Sequence, residues 1–183
     1  MTRAPAPPYE GEGPHALWHV SENPSIGRFD PHVAETSMVA EARVWAIDTR
    51  HLPIYWFPRD CPRGTFWAGE TTSDADVERF LWGDRSLRVH ATEGRRLREI
   101  RAVTLSLYRL PEGPFEPNPD GTTGYWVSRR GVEPLERHEL RDVEAAHVDA
   151  GIELRFVRDL RSLWERVVAS TLDFSGVRLA NAR

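Results

Sequence analysis

Short apolar stretches, most of about five residues and each closed by proline, glycine or a polar turn residue, recur along this chain without regular alternation with helical patterns. The runs at 16–20, 43–47, 64–68, 87–91, 102–110, 125–128, 132–140 and 153–157 read as strands. Along 102–110 the alternation puts Val103, Leu105, Leu107 and Arg109 on one side. Three stretches carry helix signals instead. Ser73 precedes a run through Trp82 with Asp74, Asp76 and Glu78 near its positive end. The run 142–150 stops at Gly151, and Asp159 opens a run to Ser170 in which Leu160, Leu163, Trp164, Val167 and Val168 form one apolar stripe. Helical turns are expected around 51–55 and after the strand at 87–91. Strands that outnumber helices in this irregular order predict an α+β fold: a twisted, mostly antiparallel sheet or sheets with flanking helices.

The length of 183 residues suits one domain, expected to be compact and to span 15–183, after a flexible proline- and glycine-rich arm at 1–14. A short basic tail is expected after Asp173. Composition removes several functions. All 24 basic residues are arginine, so lysine Schiff bases and a P-loop lysine are excluded. A net charge of -4 argues against binding duplex nucleic acid by general phosphate neutralisation. The single cysteine, Cys61, forbids an intramolecular disulfide and suits a reducing compartment. The first residues lack the apolar core of a signal peptide, and no apolar run approaches the ~20 residues of a membrane span. A cytoplasmic protein with no membrane partner is the expectation.

No dinucleotide fingerprint, Walker A motif, His-Glu-x-x-His, paired Cys-x-x-Cys or nucleophile elbow is present, and no metal site is expected. The candidates are therefore dispersed. Arg59 and Arg63 flank Cys61 on a loop stiffened by Pro58 and Pro62. Two guanidinium groups there suit a phosphate or carboxylate, or else ion pairs with Asp60 and nearby acids. They would also activate a thiol, although a lone cysteine commonly packs as a small hydrophobe. His19 and Ser21 share one face of the first strand and could hold ribose hydroxyls, or simply sit at a sheet edge. Trp45 offers an indole for stacking on a flat heterocycle, with core packing as the alternative. Glu116, Asn118 and Asp120 crowd the loop before Tyr125, where a carboxylate could stabilise an electron-poor carbon or merely solvate a turn. The hydroxyl-rich segment 170–175 suggests only a helix end and a turn.

Read together, Leu17-Trp18-His19-Val20-Ser21, Val44-Trp45-Ala46, Pro58-Arg59-Asp60-Cys61-Pro62-Arg63 and Val168-Ala169-Ser170-Thr171 resemble an uncharacterised family of small bacterial proteins across nearly the whole chain. More distantly, His19-Val20-Ser21, Val44-Trp45-Ala46, Pro111-Glu112-Gly113-Pro114-Phe115-Glu116 and Tyr125-Trp126-Val127-Ser128-Arg129 are similar, in that order, to motifs of the rifamycin-inactivating ADP-ribosyltransferases. That resemblance implies an ADP-ribosyltransferase-like fold that binds NAD and transfers ADP-ribose to an acceptor the sequence does not identify. It implies that His19 holds the ribose, that Trp45 stacks on the nicotinamide, and that Glu116 or Asp120 supports the positive centre formed as nicotinamide leaves. The chain departs from the pattern at Trp45, where tyrosine is usual, at Val20, where glycine is usual, and at Asn118, which falls where the acid would align. The Arg59 and Arg63 loop has no counterpart there. Two alternatives stay open: a nucleotide-like or phosphorylated small molecule held by Arg59 and Arg63, or a protein partner docked on aromatic surface.

Overall fold

The computed structural model describes residues 16–33, 41–119 and 124–183, so the expected arm at 1–14 and Asp120 lie outside the described residues. In chain order the strands are β1 (Leu17–Ser21), β2 (Val44–Asp48), β3 (Arg63–Trp67), β4 (Arg88–Glu93), β5 (Leu105–Leu110), β6 (Glu116–Pro117), β7 (Tyr125–Ser128), β8 (Glu136–Leu140), β9 (Ile152–Val157) and β10 (Asp173–Val177). The helices are α1 (Asp74–Leu81), α2 (Leu97–Ala102), α3 (Val143–Asp149) and α4 (Leu160–Val168). The fold is α+β, with the chain contributing to two compact units. Of the described residues, one takes those from Ala16 to Trp56 together with those of Thr104–Arg141; the other takes Phe57–Val103 and Asp142–Arg183.

The first unit centres on a six-stranded sheet in the order β6-β7-β2-β1-β5-β8, with every pairing antiparallel. One face is apolar because period-two alternation collects Leu17, Val44, Ala46, Tyr108 and Leu110 there, under Phe29, Phe115 and Val132. Each fully buried side chain of this size contributes roughly 1.5–3 kcal/mol. The Tyr108 hydroxyl donates to the Asn23 carbonyl at 2.7 Å and accepts from Ile26 N–H at 3.1 Å, which fastens the loop that follows β1. Edge strand β8 reads Glu-Arg-His-Glu-Leu and is largely exposed, the charged composition that discourages edge-to-edge pairing.

The second unit carries the sheet β10-β3-β4-β9, antiparallel except for the parallel pair β4 and β9. Phe66, Val89 and Ala91 meet Val77, Phe80 and Leu81 of α1 and Leu160, Leu163 and Val167 of α4. The helix ends follow their sequence signals. Ser73, Asp142 and Asp159 accept from the N–H groups of Asp76, Ala145 and Ser162, and Gly151 takes a positive φ of 64° after α3. Of the predicted α4 stripe, Val168 turns outward and is 48% exposed.

Several elements differ from the sequence expectation: β8 starts only at Glu136 within the strand expected over 132–140, and β6 lies in the stretch expected to be loop before Tyr125. The strand predicted over 102–110 begins only at Leu105, since 97–102 is helical and buries Ile100. The tail expected after Asp173 contains β10, whose Asp-Phe-Ser-Gly-Val run has little strand character of its own. Its glycine has a specific use. Gly64 and Gly176 face each other across β3 and β10, and a Cβ on either would come within 2.7 Å of the Trp164 indole. The ring rests on bare backbone there. No helix among the described residues is long and apolar enough to cross a membrane.

Candidate functional site

The two strands that carry His19 and Trp45 part company beside those residues. β1 pairs with β2 at Leu17↔Asp48 and Trp18↔Ile47, yet runs alongside β5 for five positions, while β2 follows β7 for four. His19 lies where the β1–β2 ladder stops, with Nδ1 3.0 Å from the Trp45 carbonyl oxygen. A carbonyl only accepts, so Nδ1 carries the proton, and in the neutral ring Nε2 bears the lone pair. The half-buried imidazole also packs 4.7 Å from the Phe29 ring. Ser21 accepts from the Asn23 N–H at 3.1 Å and shapes the turn after β1.

Trp45 is half-buried and meets Tyr125 edge-on, with ring centroids 6.5 Å apart. Tyr125 meets Tyr55 in the same manner at 6.3 Å, and the two hydroxyls lie 2.9 Å apart. Tyr55 comes from the short helical turn Leu52–Tyr55. Gly124 sets Tyr125 in place: its φ is +86°, its carbonyl accepts from Asp48 N–H at 2.9 Å, and any Cβ would collide with the His51 imidazole. That imidazole is held by Asp48 at 2.7 Å.

Glu116 stands opposite Val127, which stands opposite Trp45, so Glu116 and Trp45 share a face. Its carboxylate is ion-paired with Arg129, which also bonds Glu41 at 2.6 Å, and Glu41 in turn holds Arg43 at 2.8 Å. Hydrogen bonds from Arg129 and then Arg43 keep the Glu41 carboxyl below its ordinary range. Asn118 is buried: its N–H donates to the Tyr125 carbonyl at 2.8 Å, and its side-chain oxygen accepts from Arg43 at 3.4 Å. Where the distant resemblance aligns an acid, this chain has a group that holds the loop.

Alternation sorts the candidates. His19 and Ser21 belong to the face with the apolar cluster, while Trp45, Tyr125 and Glu116 belong to the opposite face. The link between the sets is the His19–Trp45 hydrogen bond at the point of divergence. Arg59 and Arg63 belong to the other unit and differ from each other. Arg59 is exposed, whereas Arg63 is 2% exposed, donates to the Cys61 carbonyl at 3.0 Å and stacks over Phe57 at 5.5 Å. Arg63 therefore holds its own loop. Cys61 is fully buried, its thiol 3.3 Å from the Thr92 hydroxyl, which itself donates to the Pro62 carbonyl. Burial pushes that thiol up, so it packs as a neutral group and not as a nucleophile.

Three groups had no clear signal in the sequence. Tyr55 joins the aromatic row by way of a turn. The Glu41–Arg129–Glu116 chain spans distant segments. His90 and His147, 57 residues apart, form a buried pair with Nδ1 of the first 3.0 Å from Nε2 of the second. The hydroxyl-rich segment near 171 has a structural use: Thr171 donates from both its N–H (2.9 Å) and its hydroxyl (2.6 Å) to Asp76, fastening the exit of α4 to the start of α1.

A family of unknown function (DUF6886) matches residues 18–182, and the chain belongs to it. No curated protein and no solved structure matches the chain.

Proposed function

From a family that assigns no activity, we propose that this chain is an ADP-ribosyltransferase-like protein that binds NAD where β1 and β2 diverge and transfers ADP-ribose to an acceptor. The observation that carries the reading is the hydrogen bond from His19 Nδ1 to the Trp45 carbonyl at 3.0 Å. It fixes the imidazole tautomer where the two strands diverge, with Nε2 as the acceptor atom of the ring. The residues present fit the dinucleotide only in part, since Trp45, Tyr125 and Glu116 share one face of the sheet while the His19 side chain stands on the other. Trp45 supplies a half-buried π surface steadied by Tyr125 and Tyr55. Glu116 supplies a carboxylate on the Trp45 face, with Arg129 partly neutralising it. Bound there, NAD supplies a labile glycosidic bond. The protein's part is to orient the ribose, clamp the nicotinamide ring and place negative charge beside the carbon that becomes electron-poor.

The test is calorimetric titration of NAD into the wild-type chain and the His19→Ala, Trp45→Ala and Glu116→Gln variants, with release of nicotinamide followed in parallel. His19→Ala and Trp45→Ala weaken binding about tenfold or more, which is about 1.4 kcal/mol. Glu116→Gln keeps binding and loses turnover. The absence of NAD binding at millimolar concentration ends the reading. The alternative based on Arg59 and Arg63 rests on Arg59 alone, because the Arg63 guanidinium is committed to the Cys61 carbonyl and the Phe57 ring.

A further inference from the structure

The four-stranded unit has a second place suited to a ligand, unrelated to His19 and Trp45. At the carboxyl ends of the parallel strands β4 and β9, beyond their last pair Glu93↔Val157, lies a hollow of about 380 Å³. Glu93, Gly94, Arg95, Val157, Arg158 and Arg183 line it. Parallel strands leave such crevices because each chain turns away into the element that follows, and ligands of open sheets are commonly taken there. Here β4 passes into the turn Gly94–Arg96 and β9 passes through Arg158 into α4.

The charges of the lining do not cancel. Glu93 is buried, and its carboxylate is satisfied by Arg95 at 2.6 Å and by the Arg183 backbone N–H at 2.9 Å. Arg95 therefore neutralises Glu93, the one acidic side chain of the lining, and it is held in turn by the Asn181 carbonyl at 2.9 Å. The adjacent Asp159 is turned away, accepting from the Ser162 N–H at 3.0 Å and its hydroxyl at 2.6 Å as the cap of α4. The guanidinium groups of Arg158 and Arg183 have no hydrogen-bond or ion-pair partner among the described residues. Two guanidiniums without a side-chain partner, both among the residues lining one hollow, suit an anionic ligand.

We propose that this hollow binds a phosphate monoester, with Arg158 and Arg183 gripping the phosphoryl group and the remaining space taking a small organic body. A phosphate ester carries about -1.5 to -2 charges near pH 7, and the guanidinium fork meets its oxygens two at a time. The volume lies at the lower end of the roughly 300–1,000 Å³ typical of small-molecule sites, room for a group of sugar size beside the phosphate.

Glycerol phosphate, inorganic phosphate and uncharged glycerol are titrated separately into the full chain, with phosphorus NMR or calorimetry as the readout. Glycerol phosphate is expected to bind most tightly, more weakly at high salt, and glycerol not at all. Arg158→Gln and Arg183→Gln each reduce the affinity about tenfold or more, while Arg98→Gln on the exposed side of α2 leaves it unchanged. Urea unfolding of each variant establishes that it is folded. Binding that survives Arg158→Gln, or no binding at about 10 mM ester, overturns the site, and equal affinity for inorganic phosphate overturns the assignment to an ester. Arg158→Gln leaves the NAD titration unchanged, so the two readings fail separately.

Discussion

His147 and His19 put the same side chain to opposite uses in the two units. His147, in the four-stranded unit, is fully buried, donates from Nδ1 to the Val143 carbonyl at 2.7 Å, and so offers Nε2 as an acceptor. Its neighbour His90 must then donate from Nδ1, and both tautomers follow from one carbonyl. His19, in the six-stranded unit, uses the same Nδ1 donation to a carbonyl but remains half-buried at the opening of a sheet. The pattern extends to other residues. Arg63, Cys61 and Thr92 are buried and bonded to one another's backbone or side chains, whereas Ser21, Trp45, Tyr125 and Glu116 all retain solvent access. These polar residues secure the fold in the four-stranded unit, whereas the candidate residues of the six-stranded unit keep an outward side. The residue type does not distinguish the two uses. The tertiary surroundings do.

The strongest way to probe this contrast is acid. Desolvation lowers the pKa of His147 to about 4 from an ordinary 6.5. The folded side chain thus binds a proton less readily than the unfolded one, so its contribution is complete above pH 6.5 and is lost as the pH falls toward 4. That window holds about 3 kcal/mol. Urea midpoints measured at pH 7 and pH 4.5 should differ accordingly, and His147→Gln should flatten the difference; an unchanged slope in that variant shows that His147 is not its source. Next in size is Gly64→Ala. The new methyl meets the rigid Trp164 ring, and the expected cost is about 2 kcal/mol, or a fall in Tm of roughly 5 °C. Wild-type stability in this variant would show that α4 shifts without strain. Ser73→Ala removes the cap of α1 and should cost about 1 kcal/mol in the same assay, with no change in the other unit's ligand titration. The smallest effect is expected for Glu116→Gln, whose half-exposed ion pair contributes less than about 0.5 kcal/mol. A clearly destabilised Glu116→Gln would place Glu116 with the fold-securing residues and erase the contrast.

The elements that could be read from the chain were those whose cause is local. Ser73, Asp142, Asp159 and Gly151 act within a turn of their own position, so the ends of α1, α3 and α4 were visible in the sequence. The start of β5 was misplaced because Leu97 to Ala102 has too few residues to separate a helical from an extended period. β10 was not legible because it pairs with β3, more than a hundred residues earlier, and its Asp-Phe-Ser-Gly-Val run carries little strand signal of its own. The candidate residues of the first unit were found individually, but their arrangement was not. Spacing put His19 and Ser21 on one face, yet the face of Trp45 relative to them depends on a register that no single strand encodes. Likewise Arg59 and Arg63 look equivalent around Cys61, and only the burial of Arg63 separates them.

The indole seated on Gly64 and Gly176 also bears on how the protein is made. β3 lies between β4 and β10, and its partner on one side is supplied more than a hundred residues later, at 173–177. Until the ribosome has released that stretch, the β3 edge and its patch of side-chain-free backbone stay uncovered, a surface on which a neighbouring nascent chain can pair. Closure of this sheet on the β10 side therefore waits until 173–177 has been made, with Trp164 and β10 arriving together.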